Sequence, residues 1–298
     1  MRTQPLLLAM CASLLCAPPA FALSEFGIEG MGVVSTPGDE ARASVAPDGQ
    51  RIVWGSAERA GGPGGGDLWQ ATLRGGRWSD PQPLPAPANS PGKDFDPFFS
   101  ADGRWLYFAS DRAGGHGGAD LYRVAVQADG GYGAPQNLGA AVNTRGDERA
   151  PTLSLDSTRL LFASDGHGGA GGHDLWLARW NGQAFAGPAP LPGIDGSGDE
   201  VDAAWLGDGR ALVFARAADA GGGPVRLFLA QCAAGRYAQA QPLPLSFNGA
   251  DGVTRGPVLD ASKPGELLVS GSARAPKAGK LDVYRMRAPA ATGSADCQ

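Results

Sequence analysis

Short apolar segments recur along the chain about every fifty residues, and each follows a tight-turn signal. The turn signals are aspartates followed by a glycine or another small residue, at Asp48, Asp102, Asp156, Asp208 and Asp260. The apolar segments after them cover residues 52–54, 106–108, 160–162, 212–214 and 267–269. Their spacing has a period of two, and Asp-Gly is a hairpin-turn signal. The pattern therefore predicts short β-strands joined by tight turns rather than helices.

Each copy of this repeat contains further strand-like segments. A Gly-rich stretch follows the apolar segment, and a third strand is predicted to open at residues 67–69, 120–122, 174–176, 226–228 and 282–284. In the first four copies an aromatic residue then precedes a leucine by six positions, which indicates a fourth strand. Four antiparallel strands cannot bury both faces alone, but stacking the copies around an axis buries them. We therefore predict an all-β fold, a five-bladed β-propeller of four-stranded antiparallel blades.

The fifth copy lacks a segment for its outer strand, and the missing piece lies at the other end of the chain. Residues 33–40 match residues 141–148, which leave the fourth strand of the second copy. Residues 27–36 are therefore predicted to supply the outer strand of the last blade. This N-terminal strand closes the ring and removes an exposed sheet edge. The predicted propeller covers residues 23–288, and residues 289–298 form a C-terminal tail.

The first 22 residues have the features of a signal peptide. Arg2 is the only charge before Glu25, residues 5–16 are apolar but too short to span a bilayer, and residues 20–22 form an A-x-A cleavage site. We predict cleavage after Ala22 and export to the periplasm. Lipidation at Cys11 or Cys16 is the alternative, but neither follows a small residue. No later apolar run approaches membrane-spanning length, so no membrane insertion is expected.

The net charge of the chain limits which classes of partner it can bind. The chain has 25 basic and 30 acidic residues, and removing residues 1–22 changes its net charge from −5 to −6 because only Arg2 is lost. Nucleic acids and anionic membranes require a basic face, so neither is expected as a partner.

Only Cys232 and Cys297 remain after cleavage. In an oxidising compartment they either form a disulfide that ties the tail to the fourth copy, or remain two unpaired thiols.

The second copy carries the most specific signature. Residues 96–112 read DPFFSADGRWLYFASDR and continue through a Gly-rich stretch to an Asp-Leu-Tyr at residues 120–122. This segment resembles the WD-like propeller repeat of TolB-type periplasmic proteins, and weaker copies extend the resemblance over nearly the whole mature chain. It implies the fold and the compartment. TolB-type proteins bind a peptidoglycan-associated lipoprotein, but they have a preceding α/β domain and six blades, so the resemblance does not imply the same task here.

Acidic residues recur in the loop before the first strand of each blade, which we call the lead-in loop. The acids are Asp39, Glu40, Asp94, Asp96, Asp147, Glu148, Asp199, Glu200, Asp202 and Asp251. These loops are expected on the same end of the propeller as the Gly-rich loops between strands two and three. A ring of carboxylates there would hold a hard cation or attract a basic partner. Alternatively, the acids accept hydrogen bonds from backbone N–H groups at turns, which their recurrence in each blade favours.

All three histidines, His116, His167 and His173, lie in the Gly-rich loops of blades two and three. His167 and His173, together with Asp165 and Asp174, have the donor types of a transition-metal site. The flanking glycines and the lack of a third fixed ligand favour solvent-exposed loop residues instead. We therefore predict neither a metal site nor a cofactor.

The three histidines, with Asp111, Arg112 and the lead-in acids, are assigned to one binding face. Nucleophilic hydrolysis has little support, since the sequence lacks a Gly-x-Ser-x-Gly elbow. We predict a non-enzymatic, monomeric periplasmic scaffold that binds a protein or envelope component, favouring a basic one, through this acidic, Gly-rich face. The alternative is a glycoside hydrolase with paired carboxylates at the channel mouth.

Overall fold

The structure is a computed structural model that describes residues 25–194, 196–219 and 223–297. Within these ranges the chain forms twenty β-strands in five four-stranded antiparallel sheets, and it forms no helix. The predicted five-bladed all-β propeller is therefore confirmed. The predicted signal peptide and its cleavage site lie outside the described residues. Nothing that could cross a membrane as a helix occurs in the described ranges.

The blades follow one another in chain order. Blade one contains β2 (Glu40–Val45), β3 (Arg51–Ser56), β4 (Asp67–Arg74) and β5 (Arg77–Pro83). Blade two contains β6 (Asp94–Phe99), β7 (Trp105–Ser110), β8 (Asp120–Ala125) and β9 (Gln136–Asn137). Blade three contains β10 (Glu148–Leu153), β11 (Arg159–Ser164), β12 (Asp174–Trp180) and β13 (Phe185–Pro190). Blade four contains β14 (Asp199–Leu206), β15 (Ala211–Ala217), β16 (Val225–Ala233) and β17 (Arg236–Pro242).

Blade five combines both ends of the chain. It contains β18 (Thr254–Leu259), β19 (Glu266–Gly271), β20 (Asp282–Arg287) and, as its outer strand, β1 (Glu25–Ile28). β1 pairs antiparallel with β20, as expected from the match between residues 33–40 and 141–148. The strand lies at Glu25–Ile28 rather than at the predicted residues 27–36, because the backbone turns at Gly30, which has a φ of +54° and accepts a hydrogen bond from Val34 N at 2.7 Å.

The apolar core lies between neighbouring blades rather than within them. One cluster joins Leu161 and Leu175 of blade three to Trp205 and Phe214 of blade four. Comparable clusters fill the other blade interfaces, including the one between blades five and one. Each sheet therefore buries both of its faces only against its neighbours, which is why the repeat requires a closed ring.

The first strands β2, β6, β10, β14 and β18 contact one another around the ring and form its inner wall. Each of them has a register shift against the second strand of its blade. In four blades a residue with positive φ marks this bulge: Arg42, Asp96, Ala150 and Gly256. A bulge redirects side chains locally. In blades one and two, the redirected residues are charged.

The C-terminal tail packs on the outside of blade four. Cys232 and Cys297 form a disulfide with a Cα–Cα distance of 5.8 Å. Upstream of Cys297, Thr292 N donates to Gln231 Oε1 at 2.9 Å, and Ser294 N donates to Cys232 O at 2.9 Å. The tail is thus held by a covalent bond and by backbone hydrogen bonds.

Candidate functional site

The lead-in loops and the Gly-rich loops lie on the same end of the propeller, which we call the loop face. Backbone hydrogen bonds join the lead-in loop of each blade to the Gly-rich loop of the preceding blade. Glu148 N donates to Ala119 O at 2.6 Å, Glu200 N donates to His173 O at 2.8 Å, and Asp94 N donates to Gly66 O at 2.9 Å. The two sets of loops therefore form one continuous surface.

The lead-in acids do not form an open ring of carboxylates on this face. Glu40, Asp94, Glu148 and Glu200 are all fully buried. Glu148 accepts hydrogen bonds from Thr144 N at 2.7 Å, Thr144 Oγ1 at 2.6 Å and Ser164 Oγ at 2.7 Å. These four carboxylates are therefore internal acceptors, as in the alternative that the acids accept hydrogen bonds at turns, and they do not line an open channel mouth.

The same arrangement recurs in other blades. Asp94 accepts hydrogen bonds from Ser90 N and Ser90 Oγ, and Glu40 accepts them from Thr36 N and Thr36 Oγ1. Burial raises the pKa of Glu40, although the bonds from Thr36 oppose that effect. Each of these five-residue segments is a turn closed by the acid, so each acid acts first as a structural cap.

Other acids of the predicted set join neighbouring loops. Asp147 Oδ1 accepts a hydrogen bond from Ala119 N at 2.7 Å, and Asp199 Oδ1 accepts one from His173 N at 2.7 Å. Asp111 Oδ1 accepts one from Lys93 N at 2.6 Å. Asp251 is exposed and Asp39 is half-buried. The predicted acids thus occupy three different environments rather than one.

Some glycines of the Gly-rich loops are required by the blade interface. A Cβ on Gly117 would lie 2.4 Å from the carbonyl carbon of Arg145, and a Cβ on Gly171 would lie 1.9 Å from Gly198 O. No side chain fits at these distances. The loops are also capped from within, since Asp120 Oδ2 accepts a hydrogen bond from His116 N at 2.7 Å. Gly117 and Gly171 therefore allow close contact between neighbouring blades.

The three histidines and Arg112 have separate roles. His116 is exposed, whereas His167 Nε2 lies 2.8 Å from Val142 O and its ring packs against Trp176. His173 lies between the carboxylates of Asp165 and Asp199. Arg112 is largely internal, because its Nη2 donates to Asp94 Oδ1 and to Ala88 O, both at 2.6 Å. The structure therefore does not gather these residues into one pocket.

The propeller axis holds a charged cluster that the sequence did not indicate. Arg42 Nη1 forms an ion pair with Asp202 Oδ1 at 3.1 Å, and Arg42 Nη2 donates to Pro151 O and Thr152 Oγ1, both at 2.7 Å. The side chain of Arg42 is only 1% exposed. One arginine of blade one thus binds blades three and four across the axis. Its position follows from the bulge in β2, and sequence periodicity contains no signal for it.

Two carboxylates approach each other at this cluster. Asp202 Oδ2 accepts a hydrogen bond from Gly256 N at 3.2 Å, and Asp96 Oδ2 accepts one from Ala150 N at 3.2 Å. Burial and the negative charge of Asp96 raise the pKa of Asp202 to about 6, although Arg42 and Arg255 lower it. Asp96 and Asp202 both belong to the predicted acid set, and their charges interact at this cluster.

At the opposite end of the axis, all five blades line an apolar cavity of about 220 Å³. Its wall includes Phe98, Leu153, Trp205 and Leu259. Leu155 at its rim is 65% exposed. This end contains the turns between first and second strands and was not part of the predicted binding face.

Known proteins are similar to this chain in fold, and these similarities do not identify an activity. No protein-family model and no curated protein match the chain. An endo-arabinase from Bacteroides thetaiotaomicron has a similar structure, with a TM-score of 0.58 and 13% identity over 89% of this chain and 99% of that chain. The hydrazine synthase of Kuenenia stuttgartiensis has a TM-score of 0.55 and 15% identity over 86% of this chain and 39% of that chain.

TolB from Acinetobacter baumannii is also similar, with a TM-score of 0.50 and 13% identity over 85% of this chain. This chain spans 55% of the length of that TolB. At such identities the similarities establish a propeller fold shared with TolB, and nothing about activity. The similar structures thus include an endo-arabinase as well as TolB.

Proposed function

We propose that the protein is a non-enzymatic scaffold of the periplasm that binds a protein or another envelope component through the loop face. The observation that supports this proposal is the internal capping of that face. Buried carboxylates hold the loops from below while the outer side chains remain exposed. A surface with little freedom left loses little entropy on binding, which favours affinity.

The exposed charges of the loop face suggest what kind of partner it binds. Acids exposed there are Glu58, Asp111, Asp165, Asp219 and Asp251, and exposed bases are Lys93, Arg145, Arg274, Lys277 and Lys280. Because both signs are present, we infer a partner that carries both signs, rather than the basic partner that the lead-in acids alone indicated. Complementary charges of this kind chiefly govern specificity and the rate of association.

Site-specific photo-crosslinking tests this proposal. A photoreactive residue replaces His116 or Arg145 on the loop face, and matched variants carry it at Arg104 or Asp129, which lie near the turns of the opposite end. We expect a discrete crosslinked product in envelope extract from the loop-face variants only. Equal products from both ends, or from neither, would contradict the proposal.

A glycoside hydrolase is the second candidate, because Asp96 and Asp202 meet at the axis and the endo-arabinase shares the fold. Two carboxylates flanking a bond are what such chemistry needs. Against it, Asp202 is buried and paired with Arg42. We expect no release of reducing sugar from arabinan or other polysaccharides. Turnover that Asp96→Asn abolishes would replace the scaffold proposal.

A further inference from the structure

Three potential metal ligands meet in the loops of blade three. One oxygen or nitrogen atom from each of Asp147, Asp165 and His173 can be chosen so that all three lie within 4.8 Å of one another. His173 Nε2 is 4.0 Å from Asp165 Oδ2. This set differs from the one that the sequence suggested, because His167 binds Val142 O and Asp174 caps its own loop at Gly171 N.

The imidazole of His173 is aimed into this cluster. Its Nε2 is inaccessible to solvent and has no hydrogen-bond partner among the described residues, and the side chain is 13% exposed. A buried polar nitrogen without a partner is energetically costly. A metal ion in the cluster would satisfy it, since neutral imidazole nitrogen is a common metal ligand.

The other ring nitrogen faces a carboxylate that would orient it. His173 Nδ1 lies 3.6 Å from Asp199 Oδ1, and Asp199 is itself held by a hydrogen bond from His173 N. Carboxylates behind the far nitrogen of a histidine ligand fix its tautomer in known metal sites.

The two aspartates are positioned by bonds that leave lone pairs for a cation. Asp165 Oδ1 accepts a hydrogen bond from Asp147 N at 2.7 Å, and Asp165 Oδ2 accepts none from any described residue. Asp147 binds Ala119 N through Oδ1 and Arg149 Nη2 through Oδ2, at 2.7 and 2.9 Å. Arg149 is paired with Asp147, which leaves the charge of Asp165 to compensate an incoming cation.

The repeat supplies an internal comparison. At the same positions blade two has Lys93, Asp111 and Ala119, and blade one has Asp39, Ala57 and Gly66. Asp111 caps Lys93 N just as Asp165 caps Asp147 N. The cap is therefore a property of the repeat, whereas the added histidine and second aspartate occur together in blade three and are not required by the cap.

We propose that Asp147, Asp165 and His173 bind a divalent transition-metal ion of the Zn²⁺ class, with the remaining positions taken by water or by a ligand of the loop face. One imidazole nitrogen with carboxylate oxygens suits Zn²⁺ better than Mg²⁺ or Ca²⁺, which prefer oxygen ligands alone. The proposal is independent of the scaffold function, because a partner can bind the loop face with or without a metal.

Calorimetry with ZnCl₂ on chelator-treated, untagged mature protein tests the site, supported by the visible absorption of bound Co²⁺. We expect one Zn²⁺ per chain. His173→Ala, which reproduces Ala119 of blade two, and Asp165→Asn, which retains the cap, should each weaken binding tenfold or more. The matched controls His116→Ala and Asp111→Asn should bind Zn²⁺ like the unaltered protein.

Circular dichroism and the melting temperature establish that each variant is folded. Absence of saturable Zn²⁺ and Co²⁺ binding to the unaltered protein would overturn the proposal. So would binding that the His173→Ala and Asp165→Asn variants retain, since the metal would then lie elsewhere. Loss of binding in either variant while the His116→Ala control binds normally would support it.

Discussion

Arg42 shows how one residue connects blades that are not neighbours. It extends from β2 to Asp202 of blade four and to the backbone of blade three, and it is almost fully removed from solvent. Burying a charge is costly unless a partner and hydrogen bonds compensate. Here the partner is itself held by Gly256 N of blade five. The axis is therefore a charged junction of four blades, and removing one member leaves the others uncompensated.

Replacing Arg42 with methionine should destabilise the fold in a pH-dependent way. Breaking a buried pair costs about 3–5 kcal/mol, because the remaining charge is left buried. Without Arg42, the native pKa of Asp202 rises further above its unfolded value, so the native state binds a proton more tightly. The loss in unfolding free energy should therefore be large at pH 8 and smaller at pH 5. Urea titrations followed by tryptophan fluorescence measure both.

The control for this experiment is Arg51→Met, because Arg51 donates to Gly130 O rather than to a carboxylate. The loss in unfolding free energy caused by Arg51→Met should be the same at pH 5 and pH 8. An equal loss for Arg42→Met at both values would mean that Asp202 keeps its charge without Arg42, which would contradict the argument.

At the scale of single elements, buried asparagines join the third strand of a blade to the segment that leaves its fourth strand. Asn143 Oδ1 accepts a hydrogen bond from Leu121 N at 2.8 Å, and its Nδ2 donates to Leu121 O at 3.0 Å. Asn89 and Asn248 make the same pair of bonds in blades one and four. In blade five Ser35 takes this place against Val283. Beyond the end of the fourth strand in these blades, a side chain thus makes the hydrogen bonds to the third strand that a longer fourth strand would make through its backbone.

Replacing Asn143 with alanine should cost about 1–3 kcal/mol of unfolding free energy, because the buried N–H of Leu121 loses its partner while its C=O keeps the bond from Leu138 N. Amide exchange at Leu121 should accelerate, whereas exchange at Leu227, held by Asn248, should not. The exposed Asn181→Ala serves as the control and should change stability far less. Unaltered exchange at Leu121 would show that water replaces the side chain.

The closing strand is the second feature at this scale. β1 covers β20, and Glu29 and Ser35 continue the contact through backbone and side-chain bonds to Val283. Deleting residues 25–36 should expose the edge of β20 and lead to aggregation or strand exchange. Light scattering coupled to size-exclusion chromatography measures this, against a chain that starts at residue 23. A monomeric, cooperatively folded deletion variant would show that closure is dispensable.

For the whole molecule, two connections hold the ring: the β1–β20 pairing and the disulfide that ties the tail to blade four. The disulfide joins residues separated by 65 positions. Loops of this size give a disulfide a stabilisation of about 2–4 kcal/mol, chiefly by restricting the unfolded chain. The core between blades supplies the remaining stability, since every blade interface contains its own apolar cluster.

The Cys232→Ser/Cys297→Ser variant should therefore lose about 2–4 kcal/mol of unfolding free energy while it keeps the propeller fold. The unaltered protein in reducing buffer should behave in the same way, which separates loss of the bond from effects of serine. Denaturant titrations with circular dichroism measure both. Equal stability with and without the bond would show that packing alone fixes the tail.

The sequence by itself determined the strands, the number of blades and the closure of the ring. The alternation of apolar residues and the turn residues determine structure over only a few positions, and both signals occur in all five copies of the repeat. The missing strand of the fifth copy was equally readable, because a repeat shows which piece is absent. Asp120, which opens the third strand of blade two, also acts within a few residues, because it caps the loop just before it at His116 N.

Only the tertiary structure decided what the charged residues do. Glu148 and Asp147 are adjacent in sequence, yet one is a buried cap and the other faces His173 and Asp165. Arg42 reaches Asp202, 160 positions away in sequence, because a bulge turns it toward the axis. Such outcomes depend on distances between blades, which follow from how whole sheets pack and have no period along the chain. Local sequence patterns therefore determine the propeller fold, and the packing of its sheets determines the roles of the charged residues.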